Sequence, residues 1–159
     1  MPRPPRNLLP LLLMACLAGC ARAAPPAADP AAAVAFLKKN AAAPGVHVTA
    51  SGLQYKVITS GPASGPHPGP ADEVKVNYEG KLLNGQVFDS SYARGEPAVM
   101  SVDHLIPAWT EALQLMRPGD VWMLYAPPAL AYGDEGAGPI PPGSALIFKI
   151  ELIAVQGKT

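Results

Sequence analysis

Hydrophobic and polar residues change their period along this chain, and each change marks an element. Between Ala31 and Ala43, Val34, Leu37 and Ala41 recur at helical spacing, predicting one short helix that Pro44-Gly45 ends. From Ser51 the period becomes two: Leu53, Tyr55 and Val57 alternate with Gln54, Lys56 and Ile58, the pattern of a strand. Residues 60–70 carry too many prolines to supply ladder N–H groups and read as a loop. Val74, Val76 and Tyr78 then alternate with Glu73, Lys75, Asn77 and Glu79, a half-buried strand. Asn84-Gly85 before Gln86-Val87-Phe88-Asp89 is a hairpin signal. Ile106, Trp109, Leu113 and Met116 return to helical spacing, with Pro107 suited to the first turn and Gly119 to the stop. Val121 to Ala126 is a further strand, and 127–143 a loop around Tyr132. Leu146, Phe148, Ile150 and Leu152 alternate with Ile147, Lys149, Glu151 and Ile153 in a long closing strand. Antiparallel strands with one short core helix predict an α+β fold, the helix buried against one sheet face.

Composition narrows the function classes. Gly 15 and Pro 20 among 159 residues make a turn-rich chain and exclude an all-helical bundle. Twelve basic residues balance twelve acidic ones, which argues against a nucleic-acid partner. Beyond the N-terminus no apolar run reaches the ~20 residues a spanning helix needs. The length suits one folded domain.

The first twenty residues change the picture. Arg3 and Arg6 precede an apolar stretch from Leu8 to Ala18, the size of a secretory core and too short to span. Leu17-Ala18-Gly19-Cys20 resembles the lipobox of bacterial lipoproteins, with cleavage before Cys20 after its acylation. Residues 1–19 would then be a signal peptide, and 20–50 an anchored Ala/Pro-rich tether containing the short helix. An ordinary signal peptide cut after Ala24 is the alternative, and it discards Cys20. On the lipoprotein reading Cys16 is lost and Cys20 carries lipid, so no thiol remains for a disulfide, metal or nucleophile. Ala21 after the cysteine resembles outer-membrane sorting, placing the protein in the cell envelope, facing the periplasm or the surface.

Conventional catalytic signals are missing. His47, His67 and His104 are scattered without metal-ligand spacing and read as solvated loop residues; no metal is expected. There is no nucleophile elbow and no glycine-rich phosphate loop. The informative residues are aromatics beside Gly/Pro loops: Tyr78, Phe88, Trp109, Tyr132 and Phe148. Composition alone allows them to be core as readily as a site, and allows Asp89 to be an ordinary turn carboxylate beside Ser90 and Ser91.

A family resemblance bears on that choice. Val76-Asn77-Tyr78-Glu79-Gly80, Gly85-Gln86-Val87-Phe88-Asp89-Ser90-Ser91, Ile106-Pro107-Ala108-Trp109, Leu130-Ala131-Tyr132-Gly133 and Ile140-Pro141-Pro142-Gly143-Ser144-Ala145-Leu146-Ile147-Phe148 occur in this order. They resemble the FKBP-type peptidyl-prolyl cis-trans isomerases from about Ser51 to Val155. The lead-in from Ser51 to Val57 is similar to the envelope subgroup related to macrophage infectivity potentiators, although the long helical dimerisation region of those proteins is nearly absent. The resemblance implies an antiparallel sheet wrapped around one short helix in an isomerase domain over 51–159. It implies an apolar pocket for proline-containing polypeptides, open to macrolide inhibitors and needing no cofactor.

The same resemblance implies roles. Trp109 forms the floor, and Tyr78, Phe88, Tyr132 and Phe148 the walls. Leu105 and Ile106 stand at the rim, where the Ile106 N–H holds a substrate carbonyl. Ile140 adds to the binding surface. Asp89 and the Tyr132 hydroxyl are the polar groups around the twisting amide, and Arg94 orients Asp89. The catalytic set expected is thus Asp89, Tyr132, Trp109 and Phe88. Departures from the family pattern fall at Ala98, Ala108, Ala126 and Ala137, none of them a principal pocket residue. A chaperone or host-interaction module, with isomerisation incidental, is the alternative function.

Overall fold

The computed structural model describes residues 28–157. The expected leader, Cys20 and the first part of the tether lie outside the described residues. The elements run α1 (Pro30–Ala41), β1 (Val46–Val48), β2 (Gln54–Thr59), β3 (Glu73–Leu82), β4 (Val87–Ser90), α2 (Ser91–Arg94), β5 (Ala98–Ser101), α3 (Pro107–Leu115), β6 (Val121–Ala126) and β7 (Leu146–Gln156). Short 3-10 turns occupy Val102–His104 and Pro128–Leu130. The strands make one antiparallel sheet in the order β1-β2-β6-β7-β3-β4, with β5 on the same edge of β3 as β4. The fold is therefore α+β, as the periodicity predicts.

Alternation decides which face is inside. Val74, Val76, Tyr78 and Leu82 of β3 are buried. So are Leu146, Phe148, Ile150 and Leu152 of β7 and Trp122, Leu124 and Ala126 of β6. Pairing Trp122 with Ile150 and Leu124 with Phe148 keeps these side chains on one face. The inner face meets α3, which buries Ala108, Trp109, Ala112, Leu113 and Met116. Burying each large aliphatic side chain in this layer contributes roughly 1.5–3 kcal/mol, so the sheet–helix seam is the main source of stability. Ala108 and Ala112 keep the α3 surface low where it lies against the sheet.

α3 begins at Pro107, whose fixed φ suits a first turn. It ends at Leu115, earlier than Gly119 suggests, with Met116 extended (φ −84, ψ 164) ahead of Pro118. Proline disfavours helical geometry in the residue before it, here Arg117, so the helix has to end ahead of that position. Gly119, at φ +93, instead forms the turn into β6.

The N-terminal helix also differs from a free tether. A helix this short is marginal alone, and α1 is held on the outer sheet face. Phe36 packs against Tyr125 with ring centroids 6.0 Å apart. Gln54 donates to the Leu37 carbonyl at 2.8 Å and accepts from Asn40 at 2.8 Å. That cover explains why Gln54, on the nominally polar side of β2, is buried. β1, α2 and β5 have three or four residues each, too few to show a period.

One irregularity shapes the inner face. Gly80 pairs with Asp89 and Lys81 with Val87, so Phe88 is an extra residue in β4, a bulge. A Cβ on Gly80 would lie 2.5 Å from Phe88 Cζ and 3.0 Å from Phe148 Cε1. Gly80 is thus the space into which both rings fit. Gly80→Ala is expected to lower stability by about 1–3 kcal/mol through overpacking. The urea unfolding midpoint reports this, and an unchanged midpoint would mean that the rings have room to move.

Candidate functional site

The sheet, α3 and two connecting segments leave a hollow of about 320 Å³ lined by Tyr78, Phe88, Asp89, Met100, His104, Leu105, Ile106, Trp109, Tyr132 and Phe148. Its size is at the lower end of small-molecule sites. β3 supplies Tyr78, β4 Phe88 and Asp89, β7 Phe148, and α3 Trp109. Neighbours on a regular strand face opposite sides. The bulge lets consecutive Phe88 and Asp89 reach the same hollow.

Three edge-on contacts set the aromatic geometry. Tyr78 meets Trp109 at 5.0 Å and 85°, Trp109 meets Phe148 at 5.5 Å and 89°, and Phe148 meets Phe88 at 5.7 Å and 89°. Rings prefer such arrangements because a positive edge faces a negative π surface, worth roughly 0.5–1.5 kcal/mol per pair beyond burial. Edge contacts fix each ring without stacking its face away. Trp109 itself is 4% exposed, and its indole N–H is buried without a hydrogen-bond partner among the described residues.

The polar side is a three-residue cluster. The Tyr78 hydroxyl donates to one Asp89 oxygen, and Arg94 Nη1 donates to the other. Arg94 Nη2 also donates to the Tyr78 oxygen at 3.0 Å. α2 aims the guanidinium: the Ser90 hydroxyl accepts from the Ala93 N–H, and Gly95 closes the turn at φ +78. Burial opposes ionisation of Asp89, but the hydrogen bonds from Tyr78 and Arg94 and the nearby positive charge outweigh it. Its carboxyl is held below the ordinary carboxylate value. Burial, reinforced by the bond to Asp89, pushes the Tyr78 phenol up. Hydrogen bonds to Tyr78 and Asp89 push Arg94 further up. The cluster therefore holds a carboxylate, a neutral phenol and a guanidinium cation around neutral pH. Because the ion pair is partly solvated, it orients groups more than it stabilises the fold.

At the opposite rim, Ile106 precedes α3 in extended geometry (φ −61, ψ 149). Its carbonyl accepts from the Trp109 and Thr110 N–H groups, while its own N–H makes no backbone bond among the described residues. Tyr132 stands at the mouth, 38% exposed.

Of the residues picked out in the sequence, Tyr78, Phe88, Asp89, Leu105, Ile106, Trp109, Tyr132 and Phe148 come together. Arg94 stands behind Asp89 rather than on the wall. Ile140 is 6% exposed in the core cluster and pairs with Ala137 in a small bridge, so it supports the loop of Tyr132 without lining the hollow. Met100 and His104 were not anticipated as lining residues. Met100 turns inward only because β5 pairs it opposite Val74, a long-range contact with no local motif. His104 is exposed, as a loop histidine should be, and its nearness to Leu105-Ile106 was the available signal. A second hollow of about 210 Å³ lies beneath α1, lined by alanines and turn residues. Its one carboxylate, Asp29, is already accepting from the Ala31 N–H.

Comparison with known proteins agrees with this architecture. The family described as FKBP-type peptidyl-prolyl cis-trans isomerase matches residues 65–153, and the domain amino terminal to such isomerases matches 21–57. The chain is 54% identical over 125 residues to the peptidyl-prolyl cis-trans isomerase Mip of Coxiella burnetii, covering 78% of this chain and 54% of that protein. It is 50% identical over 123 residues to the outer membrane protein MIP of Legionella longbeachae, covering 77% and 52%. It thus spans about half the length of these relatives. Among solved structures, FkpA from Escherichia coli superposes with a TM-score of 0.77 at 42% identity, covering 80% of this chain and 59% of that one. A Pseudomonas syringae isomerase superposes with a TM-score of 0.74 at 41% identity, covering 79% and 92%. On its sequence, its fold and the order of its motifs, the chain belongs to the FKBP-type peptidyl-prolyl cis-trans isomerase family.

Proposed function

We propose that this chain catalyses cis-trans isomerisation of X-Pro bonds in exported polypeptides, within an isomerase domain spanning 51–159. The observation that carries the reading is the Trp109 hollow, bounded by edge-on aromatic rings and flanked by hydrogen-bonding groups at its mouth.

The uncatalysed barrier of ~18–20 kcal/mol comes from partial double bonding in the C–N link. The planar amide separates charge more than the twisted one, so water favours the planar form. A prolyl ring seated on Trp109, beside Phe88 and Phe148, carries its amide out of water and reduces that preference. The Ile106 N–H holds a flanking carbonyl, and Leu105 and Tyr78 confine the segment. In this reading the Tyr132 hydroxyl bonds the rotating carbonyl. Interactions that fit the twisted amide better than either planar form supply differential stabilisation.

Asp89 is not a proton acceptor in this scheme. A general base working near neutral pH needs a pKa near that pH, whereas burial is outweighed here by bonds that hold the Asp89 carboxyl low. Its part is electrostatic: a fixed negative charge at the wall, oriented by Arg94 and by the Tyr78 phenol. No bond to carbon breaks, so neither nucleophile nor cofactor is required. The same apolar walls suit a macrolide, which would compete with peptide.

The family placement and the name of the Legionella longbeachae relative support an envelope location. The finer reading is lipid anchoring at Cys20 to the outer membrane, after removal of 1–19, with residues 20–50 linking anchor and domain. Replacing Cys20 by Ser is expected to move the protein from the membrane to the soluble fraction; retention on membranes would refute acylation there. Exchange NMR with a short apolar-X-Pro peptide tests the activity. The purified chain is expected to accelerate interconversion, a macrolide to block it, and Asp89→Leu to reduce kcat/KM at least about tenfold, or ~1.4 kcal/mol. No acceleration by the wild-type chain would end the enzymatic reading.

A further inference from the structure

The clamp around Asp89 depends on a backbone problem that one buried hydroxyl solves. β3 changes partners along a single edge: Val76 is its last residue opposite β5, and Glu79 its first opposite β4. Between them, Tyr78 faces Ile150 of β7 on the other edge and has no strand partner on this one. Its N–H nonetheless points into a buried gap, where an unpaired donor is unfavourable.

Ser91, the first residue of α2, fills that gap. Its side chain is fully buried, and its oxygen accepts from the Tyr78 N–H at 2.8 Å. The hydroxyl hydrogen is within reach of the Asn77 side-chain oxygen at 3.3 Å and of the Tyr78 carbonyl at 3.4 Å. One side chain thus stands in for the missing strand residue. It also ties the backbone that carries the Tyr78 phenol to the helix that carries Arg94, and these two groups hold both oxygens of Asp89. Ser91 itself does not line the hollow.

We infer that Ser91 is a positioning residue for the isomerase site, setting the Tyr78–Asp89–Arg94 geometry through the Tyr78 backbone. The inference rests on the functional reading above for its kinetic consequence, but not for its structural one. Removing the hydroxyl leaves the Tyr78 N–H unpaired, frees β3 to shift against α2, and loosens the phenol from Asp89. Burial then counts for more against the carboxylate. The Asp89 carboxyl is expected to titrate closer to its ordinary value, and kcat/KM to fall several-fold.

The test compares wild type, Ser91→Ala and Ser91→Cys in the full chain. Cysteine keeps the side-chain shape with a slightly larger atom while offering only weak hydrogen bonding. Carbon-detected NMR of the Asp89 carboxyl gives its titration midpoint, and exchange NMR gives kcat/KM. In both variants the midpoint is expected to rise and kcat/KM to drop about fivefold or more. A residue that only adds stability would lower the unfolding midpoint and leave the Asp89 titration where it was; that result in the cysteine variant overturns the inference even if the alanine variant fails to fold. A wild-type chain without isomerase activity would instead remove the functional reading, while the Asp89 midpoint still decides the role of Ser91.

Discussion

Trp109 meets its aromatic neighbours at right angles and not stacked, and the site depends on that arrangement. Tyr78 and Phe148 meet the indole at 85° and 89°, so neither covers it as a stacked ring would. A helix buried against a sheet normally closes every gap between them. Here the rings satisfy packing with one another and leave a space of about 320 Å³ that opens at Leu105, Ile106 and Tyr132. The same side chains belong to the core and line the hollow, which is why composition could not separate the two readings.

The polar half follows from strand irregularity. A regular β4 would send Phe88 and Asp89 to opposite faces; the bulge and the glycine at position 80 bring both to one side. Ser91 and the single turn of α2 then convert a break in β3 pairing into a fixed position for Tyr78 and Arg94. The resulting carboxylate is ionised and held at both oxygens, a state suited to shaping an electric field and unsuited to accepting protons. That fits a reaction in which a bond rotates and no atom is transferred.

The sequence made the long elements plain and the short ones invisible, for physical reasons. β3, β6, β7 and α3 each bury one face over several residues, so their periods survive without the rest of the molecule. β1 and α2 are too short to show a period, and β5 exists through a partner distant in the chain, as does the inward turn of Met100. Gln54 reads as a solvent-facing strand residue because α1, which covers it, is not recognisable as a docked helix from its own alanines. Residue identity at the site was legible mainly through the resemblance: Arg94 and Asp89 would otherwise have been turn and surface residues. Ile140 lies in a matching segment and sits in the core cluster, a placement that follows from the path of the 133–143 loop.

Intermolecular NOEs from the prolyl ring of a bound peptide are the most direct test of where rotation happens. Ring protons should contact Trp109, Phe88 and Phe148 in both isomers, with exchange cross-peaks linking the two bound forms. Contacts confined to the hollow beneath α1, or bound isomers that interconvert no faster than free peptide, would contradict the idea that an indole-floored, water-excluding site lowers the barrier.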